Sequence, residues 1–193
     1  MRICVYGAAS SEIDKRFIET GEELGRKIAE HGHTLVFGAG RGGMMGAVAR
    51  GSVEKEGEIL GISPKFFEEN NAEVYFLECT EFIQTETMRE RKQLLEKNSD
   101  AFVMVPGGIG TFDEFFEILT LKQLGRHTKA IVVFNIDGYY DDLLAMINRS
   151  IKQKFITDYC LDLFKVTTTV EETLDYIETY DPKTIDVSKF KIN

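Results

Sequence analysis

The chain has 193 residues, a length typical of one domain, and its hydrophobic fraction of 43% is sufficient for a buried core. Its net charge of −9 disfavours a nucleic-acid partner, which would require a basic face, and no apolar run is long enough to span a bilayer. We find no signal peptide and only three widely spaced cysteines, so reduced thiols in a cytoplasmic protein are expected.

Strand-like and helix-like segments alternate along the sequence, which favours an α/β fold. We expect a single Rossmann-like domain over residues 1–180, a parallel sheet with helices on both faces, followed by a C-terminal tail over residues 181–193. The predicted strands are 3–6, 34–37, 59–62, 74–77, 101–105 and 129–134. The predicted helices are 13–30, 43–54, 86–97, 112–124, 140–153 and 170–179.

Glycine-rich loops follow three of the predicted strands, at residues 7–11, 38–43 and 106–111. Ligands of such folds bind at the carboxyl ends of the strands, where these loops are expected to lie. One such loop carries little information, but three in a chain of this size indicate a ligand site.

The second loop matches the dinucleotide fingerprint through Gly38, Gly40 and Gly43, but its context does not. It follows the second strand instead of the first, and the position expected to hold a ribose-binding acid carries Ile62-Ser63-Pro64. A nicotinamide or flavin cofactor is therefore disfavoured. A tight turn that lets the helix pack closely and a direct ligand contact both remain open, and the two are compatible.

The third loop has the layout of a phosphate cradle, because an apolar strand leads into Pro106-Gly-Gly-Ile-Gly-Thr111 and a helical pattern leads out. It is not a Walker loop, since no Gly-Lys-Ser/Thr follows. We expect the backbone N–H groups and the Thr111 hydroxyl to bind an anion.

Glu114 has two interpretations that the pattern alone leaves open. Thr111-Phe-Asp-Glu114 fits a capping box, in which the glutamate bonds back to the start of the helix. On the helical wheel, however, Glu114 lies between Ile118 and Leu121 within the apolar arc, whereas Asp113 does not. A carboxylate on a buried face is costly unless it is paired or functional.

Arg91 presents the same conflict between charge and position. Within Met88-Arg-Glu-Arg-Lys92 it falls in the apolar sector of its predicted helix, whereas Arg89 and Glu96 fall on the polar side. A semi-buried arginine requires a carboxylate or a phosphate as partner. The three histidines, His31, His33 and His127, show no metal-ligand spacing and are interpreted as ordinary loop or helix-end residues.

These two motifs together, Met-x-Glu-Arg-Lys and Pro-Gly-Gly-x-Gly-Thr-x-x-Glu, resemble the signature of the LONELY GUY (LOG) proteins, cytokinin riboside 5′-monophosphate phosphoribohydrolases long labelled lysine decarboxylase-like. The resemblance covers roughly residues 3–156, including the blocks at 46–49, 121–125 and 134–140. It implies a Rossmann-like homodimer that hydrolyses the N-glycosidic bond of an adenine-type nucleoside 5′-monophosphate, such as AMP or a cytokinin riboside monophosphate, to free base and ribose 5-phosphate.

The resemblance also implies roles for individual residues. The catalytic residues are Arg91 and Glu114. The substrate-binding residues that it implies are Lys92, Gly107, Gly108, Gly110 and Thr111. We also expect Met88, Gly40 and Gly43 to contact the substrate. The first loop departs from the family pattern, because Gly7-Ala8-Ala9 replaces Gly-Ser-Ser and leaves Ser10 or Ser11 to supply a hydroxyl.

No metal or organic cofactor is expected for this reaction. Lysine decarboxylation would require a Schiff-base lysine and a pyridoxal phosphate site, and nothing in the sequence singles out such a lysine. Two alternatives belong to other classes: a nucleotide- or molybdenum-cofactor-binding carrier without hydrolase activity, and, less favoured, a redox enzyme with a bound dinucleotide.

Overall fold

Seven parallel strands form one sheet in the order β4-β3-β2-β1-β5-β6-β7 in the computed structural model, which describes residues 1–69 and 74–191. β1 lies at the centre and pairs with both β2 and β5. The strands are β1 (Arg2–Tyr6), β2 (Thr34–Phe37), β3 (Ile59–Pro64), β4 (Glu81–Thr85), β5 (Ala101–Met104), β6 (Ala130–Phe134) and β7 (Lys165–Thr167).

Helices connect the strands in the alternating order that the sequence predicts, which confirms the α/β class. They are α1 (Lys15–Glu30), α2 (Gly43–Glu54), α3 (Phe66–Glu69), α4 (Met88–Lys97), α5 (Ile109–Gln123), α6 (Asp141–Lys152) and α7 (Val170–Thr179). Side-chain oxygens cap three of them, because Asp14, Thr87 and Thr169 accept hydrogen bonds from the first turns of α1, α4 and α7.

The two faces of the sheet carry separate apolar cores because successive side chains of a strand point to opposite sides. In β1, Ile3 and Val5 pack with α1, α2 and α7, whereas Cys4 and Tyr6 pack with α4, α5 and α6. None of the helices within residues 1–69 and 74–191 has the length and apolar character needed to cross a bilayer.

The chain order creates a crevice beside β1. From β1 the chain builds outward through β2, β3 and β4, then returns to the other side of β1 and builds outward again through β5, β6 and β7. The loops that leave β1 and β5 therefore diverge at the carboxyl edge of the sheet, which is where doubly wound folds bind ligands.

The predicted strand at 74–77 is wrong. Tyr75 forms only an isolated antiparallel bridge with Gly40, so this segment pairs with the second glycine-rich loop and not with the sheet. The sheet strand of this region is β4, which the sequence analysis missed because its side chains are mostly exposed and show no apolar pattern. β7 was also missed, since three residues are too short for a periodic signal.

Candidate active site

The three glycine-rich loops meet at the carboxyl edge of β2, β1 and β5. The Ala8 N–H donates to the Pro106 carbonyl of the third loop over 3.1 Å, and the Ser11 hydroxyl accepts from the N–H of Gly43, the last residue of the second loop, over 3.4 Å. The first loop thus lies between the other two and ties them into one surface. The predicted convergence of the loops is confirmed.

The third loop ends in an uncapped helix start. α5 begins at Ile109 after Gly108, and no side chain caps this end. The first backbone bond of the helix runs from the Phe112 N–H to the Gly108 carbonyl, so the amides of residues 109–111 have no intrahelical acceptor. Gly108 and Gly110 are exposed, and a Cβ at either would meet no atom within 4 Å. This geometry suits a phosphate group.

Gly107 and Thr111 instead pack against each other. Both are buried, and a Cβ on Gly107 would lie 2.1 Å from the Thr111 hydroxyl oxygen. The Tyr139 hydroxyl donates to the Gly107 carbonyl over 2.8 Å, and the Tyr140 hydroxyl donates to the Val105 carbonyl over 2.7 Å. Both tyrosines belong to the block at 134–140, to which the sequence analysis assigned no role. Their hydroxyls stabilise the backbone of the third loop and of the residue that precedes it.

Arg91 of α4 and Glu114 of α5 form a buried ion pair next to this loop. Arg91 Nη1 donates to Glu114 Oε1 over 2.9 Å, and the two residues are 5% and 8% exposed. Arg91 Nε also donates to the Ile62 carbonyl within β3, over 3.2 Å. The predicted burial of both residues is confirmed, and Arg89 and Asp113 are exposed as predicted.

The capping interpretation of Glu114 is wrong. α5 starts at Ile109, two residues before Thr111, so Thr111 is the third residue of the helix and cannot be its cap. The capping box of this region lies instead at the start of α4, where Thr87 and Glu90 exchange hydrogen bonds with each other's backbone. Glu114 is therefore free of a capping role and pairs with Arg91.

Burial raises the pKa of the Glu114 carboxyl above its ordinary value, and the charge of Arg91 opposes only part of this effect. A buried ion pair of this kind contributes little net stability, because desolvation offsets the attraction of the charges. Removing one partner would leave the other charge buried alone. Such a costly arrangement at a ligand crevice favours a functional role.

The second loop supports Arg91 through Gly38. A Cβ on Gly38 would lie 1.9 Å from Arg91 Nη2, so only glycine lets the guanidinium lie against the backbone here. On another side, the guanidinium carbon lies 5.8 Å from the centre of the Phe67 ring. The sequence analysis did not predict this contact, because it identified Gly38 only as part of a partial match to the dinucleotide fingerprint.

Gly40 and Gly43 have partners within the protein. Gly40 forms the bridge with Tyr75. Gly43, the first residue of α2, is buried with φ +56°, and its N–H donates to the Ser11 hydroxyl over 3.4 Å. The Ser11 hydroxyl thus contacts the start of α2, and its replacement of the family's first-loop serine stays a prediction. The geometry supports the packing interpretation of this loop, and ligand contacts by Gly40 and Gly43 stay a prediction.

Lys92 and Met88 lie on α4 near Arg91. Lys92 Nζ lies 3.0 Å from an Asp113 oxygen and also contacts the Glu117 carboxylate, both on α5. Met88 is the half-buried first residue of α4. The Lys92 ammonium therefore joins the two helices that carry the Arg91–Glu114 pair, and a substrate phosphate would have to compete with two carboxylates for it.

Comparisons with known proteins agree with this arrangement. The family model described as possible lysine decarboxylase matches residues 45–177. The chain is 33% identical over 189 residues to the cytokinin riboside 5′-monophosphate phosphoribohydrolase LOG2 of Arabidopsis thaliana, covering 97% of this chain and 88% of the relative. It is 34% identical over 179 residues to the probable phosphoribohydrolase LOGL1 of Oryza sativa subsp. japonica, covering 93% and 79%.

Solved structures share the fold at lower identity. The Moco carrier protein of Chlamydomonas reinhardtii superposes with a TM-score of 0.68 at 20% identity, over 92% of this chain and 94% of that one. The molybdenum cofactor binding protein of Rippkaea orientalis superposes with a TM-score of 0.69 at 20% identity, over 92% of this chain and 95% of that one. At this identity the similarity shows a common fold alone. The family match and the curated relatives decide the assignment, and the chain belongs to the LOG family, whose model carries the description possible lysine decarboxylase.

Proposed function

We propose that this protein hydrolyses the N-glycosidic bond of an adenine-type nucleoside 5′-monophosphate to free base and ribose 5-phosphate. The observation that carries the proposal is the buried Arg91–Glu114 pair, joined over 2.9 Å, beside the uncapped start of α5. An anion site next to a desolvated carboxylate suits a substrate that carries a phosphate and forms a cation during reaction. Curated relatives named phosphoribohydrolases support the same reaction class.

The amides at the start of α5 would bind the 5′-phosphate, and this remote binding energy would hold C1′ of the ribose near Glu114. Breaking the C1′–N9 bond leaves positive charge on the ribose and negative charge on the base. The Glu114 carboxylate would stabilise the ribose cation, water oxygen would bond to C1′, and the water proton would leave with the base. Arg91 would orient Glu114 through the Nη1–Oε1 bond.

Within this class we propose cytokinin riboside monophosphates and AMP as the substrates to compare. Both carry the phosphate and ribose that the loop and Glu114 would recognise. The names of the relatives favour the cytokinin riboside monophosphate. No metal or organic cofactor takes part in the proposed reaction, so the protein is assayed after treatment with EDTA.

The test is incubation of the protein with AMP and with isopentenyladenosine monophosphate, followed by chromatography of the free base. Glu114→Gln keeps the size of the side chain but removes its charge, and we expect kcat to fall about 10³-fold. The reaction needs an ionised Glu114, so the wild-type rate should fall on acidification as this carboxylate is protonated. Because burial raises the Glu114 pKa, the midpoint of this fall should lie above about 4.3, the ordinary glutamate pKa.

Glu23→Gln, at an exposed position of α1, is the matched control and should retain wild-type activity. Near-normal turnover by Glu114→Gln would overturn the catalytic assignment. Tight nucleotide binding by the wild type without base release would favour the carrier alternative.

We also propose that the protein acts as a homodimer in the cytoplasm. The outer side of α5 and its end expose Ile109, Phe116 and Leu124, with exposed fractions of 81%, 41% and 52%. Such apolar exposure is typical of a surface covered by a partner. The free thiols of Cys4, Cys79 and Cys160 suit a reducing compartment. Sedimentation velocity of wild type and Phe116→Glu would test the dimer.

A further inference from the structure

Two histidines and a glutamate lie together at the edge of the sheet opposite the candidate active site. His31 ends α1, His33 directly precedes β2, and Glu178 lies near the end of α7. His31 Nδ1 lies 2.7 Å and His33 Nε2 lies 2.9 Å from the same Glu178 oxygen, Oε1. One ligand atom from each residue therefore falls within 4.8 Å of the others.

The donor types and spacing suit a zinc ion. Two imidazole nitrogens and a carboxylate oxygen are a common three-ligand set for Zn²⁺, with a water in the fourth position. Tetrahedral bonds of about 2.0–2.1 Å place ligand atoms roughly 3.3 Å apart, so the two distances from the histidine nitrogens to Glu178 Oε1 need to open by only about half an ångström. His31 and Glu178 are partly exposed, with side-chain exposures of 41% and 34%, which leaves room for this adjustment and for water.

The surroundings carry the charge that a cation requires. A groove of about 280 Å³ beside His31 is lined by the α7 carboxylates Glu171, Asp175 and Glu178. The one lysine in its lining, Lys27, is paired with Glu30 over 2.8 Å. The Met1 amino nitrogen lies 3.3 Å from His33 Nδ1, and its positive charge would oppose binding.

We propose that His31 Nδ1, His33 Nε2 and the Glu178 carboxylate form a binding site for a divalent transition-metal ion, with Zn²⁺ as the preferred species. The site lies on the side of the sheet opposite α4 and α5, and a bound ion would link α7 to the end of α1 and the start of β2. The sequence could not indicate it, because Glu178 lies 145 residues from His33.

The test uses the full chain, stripped with EDTA and titrated with ZnCl₂ by calorimetry. We expect one equivalent to bind, and Glu178→Gln and His33→Ala each to weaken binding at least tenfold. Zinc should raise the thermal midpoint of the wild type but not of Glu178→Gln, since a ligand stabilises only the state that binds it. Glu23→Gln, at an exposed position of α1 outside this groove, is the control and should bind zinc within about twofold of the wild type.

Glu178→Gln preserves side-chain size, and its unfolding is measured without metal first, so a folding defect is separable from lost binding. X-ray absorption should find only nitrogen and oxygen ligands, at about 2.0 Å. No zinc uptake by the wild type would overturn the proposal. So would uptake that neither variant weakens, or a sulfur ligand at about 2.3 Å, which would move the ion to a cysteine.

Discussion

The starts of α2 and α5 have similar sequences but different surroundings. Both follow glycine-rich loops at the carboxyl edge of the sheet, and neither has a side-chain cap. At α2 the protein occupies the space, because a Cβ on Gly43 would lie 2.4 Å from the Ala8 carbonyl oxygen. At α5 the space is open, because a Cβ on Gly108 or Gly110 would meet nothing within 4 Å.

This difference teaches that a glycine motif does not by itself distinguish packing from binding. At α2 the first amides bond within the protein, with the Ser11 hydroxyl and the Ala8 carbonyl as acceptors for Gly43 and Met45. At α5 the amides of residues 109–111 have no intrahelical acceptor and the glycines are exposed. Only the second arrangement leaves donors for a ligand.

The largest effect on stability is expected from Gly43→Ala. Its φ of +56° disfavours a side chain, and the new Cβ would overlap the carbonyl oxygens of Ala8 and Ser10. We expect the free energy of unfolding to fall by about 3 kcal/mol, measured by urea denaturation. Unchanged stability with lost nucleotide binding would instead make Gly43 a ligand contact and remove the contrast between the two helix starts.

Gly38→Ala should affect activity more than stability. The new Cβ would lie 1.9 Å from Arg91 Nη2, and the guanidinium can move only by disturbing its bond to Glu114. We expect kcat/KM to fall about 100-fold, the usual consequence of displacing an active-site group by about 1 Å. Circular dichroism should remain that of the wild type.

A double-mutant cycle with Arg91→Ala gives the control for this prediction. If Gly38 acts through Arg91, adding Gly38→Ala to Arg91→Ala causes no further loss of activity. Additive losses would show that the second loop contributes to the reaction independently of Arg91.

Gly110→Ala should have opposite effects on stability and binding. The change replaces a glycine within α5 by the best helix former, so the free energy of unfolding should rise by about 0.5 kcal/mol. The added methyl group would crowd the amides proposed to bind phosphate, and KM should rise about tenfold. A fall in stability with unchanged KM would mean that α5 starts as a packed helix end, like α2.

The smallest effect is expected from Tyr139→Phe, which removes the hydrogen bond to the Gly107 carbonyl. Tyr139 is 45% exposed, so water can take the place of the lost hydroxyl, and the free energy of unfolding should fall by only about 1 kcal/mol. KM should rise about three- to fivefold in steady-state kinetics. An unchanged KM would show that the third loop holds its shape without this bond.

Much of the site followed from local patterns. The apolar arcs of α4 and α5 predicted that Arg91 and Glu114 are buried while Arg89 and Asp113 are exposed, because a helix repeats every 3.6 residues. Local patterns could not decide the role of Glu114, because a capping box and an apolar arc both matched its position. The helix begins at Ile109, so Thr111 is not its cap. The edge strand β4 was missed because exposed strands carry no apolar alternation.

By itself the sequence determined the alternation of strands and helices, the three loops and the two buried charges, since each depends on residues close in the chain. Only the tertiary structure decided which residues meet: Arg91 with Glu114 and Gly38, Lys92 with Asp113, and His33 with Glu178. Such pairs depend on the strand order, which places the ends of β2, β1 and β5 side by side. Strand order depends on contacts between residues far apart in the chain, so periodicity within a short segment cannot predict it.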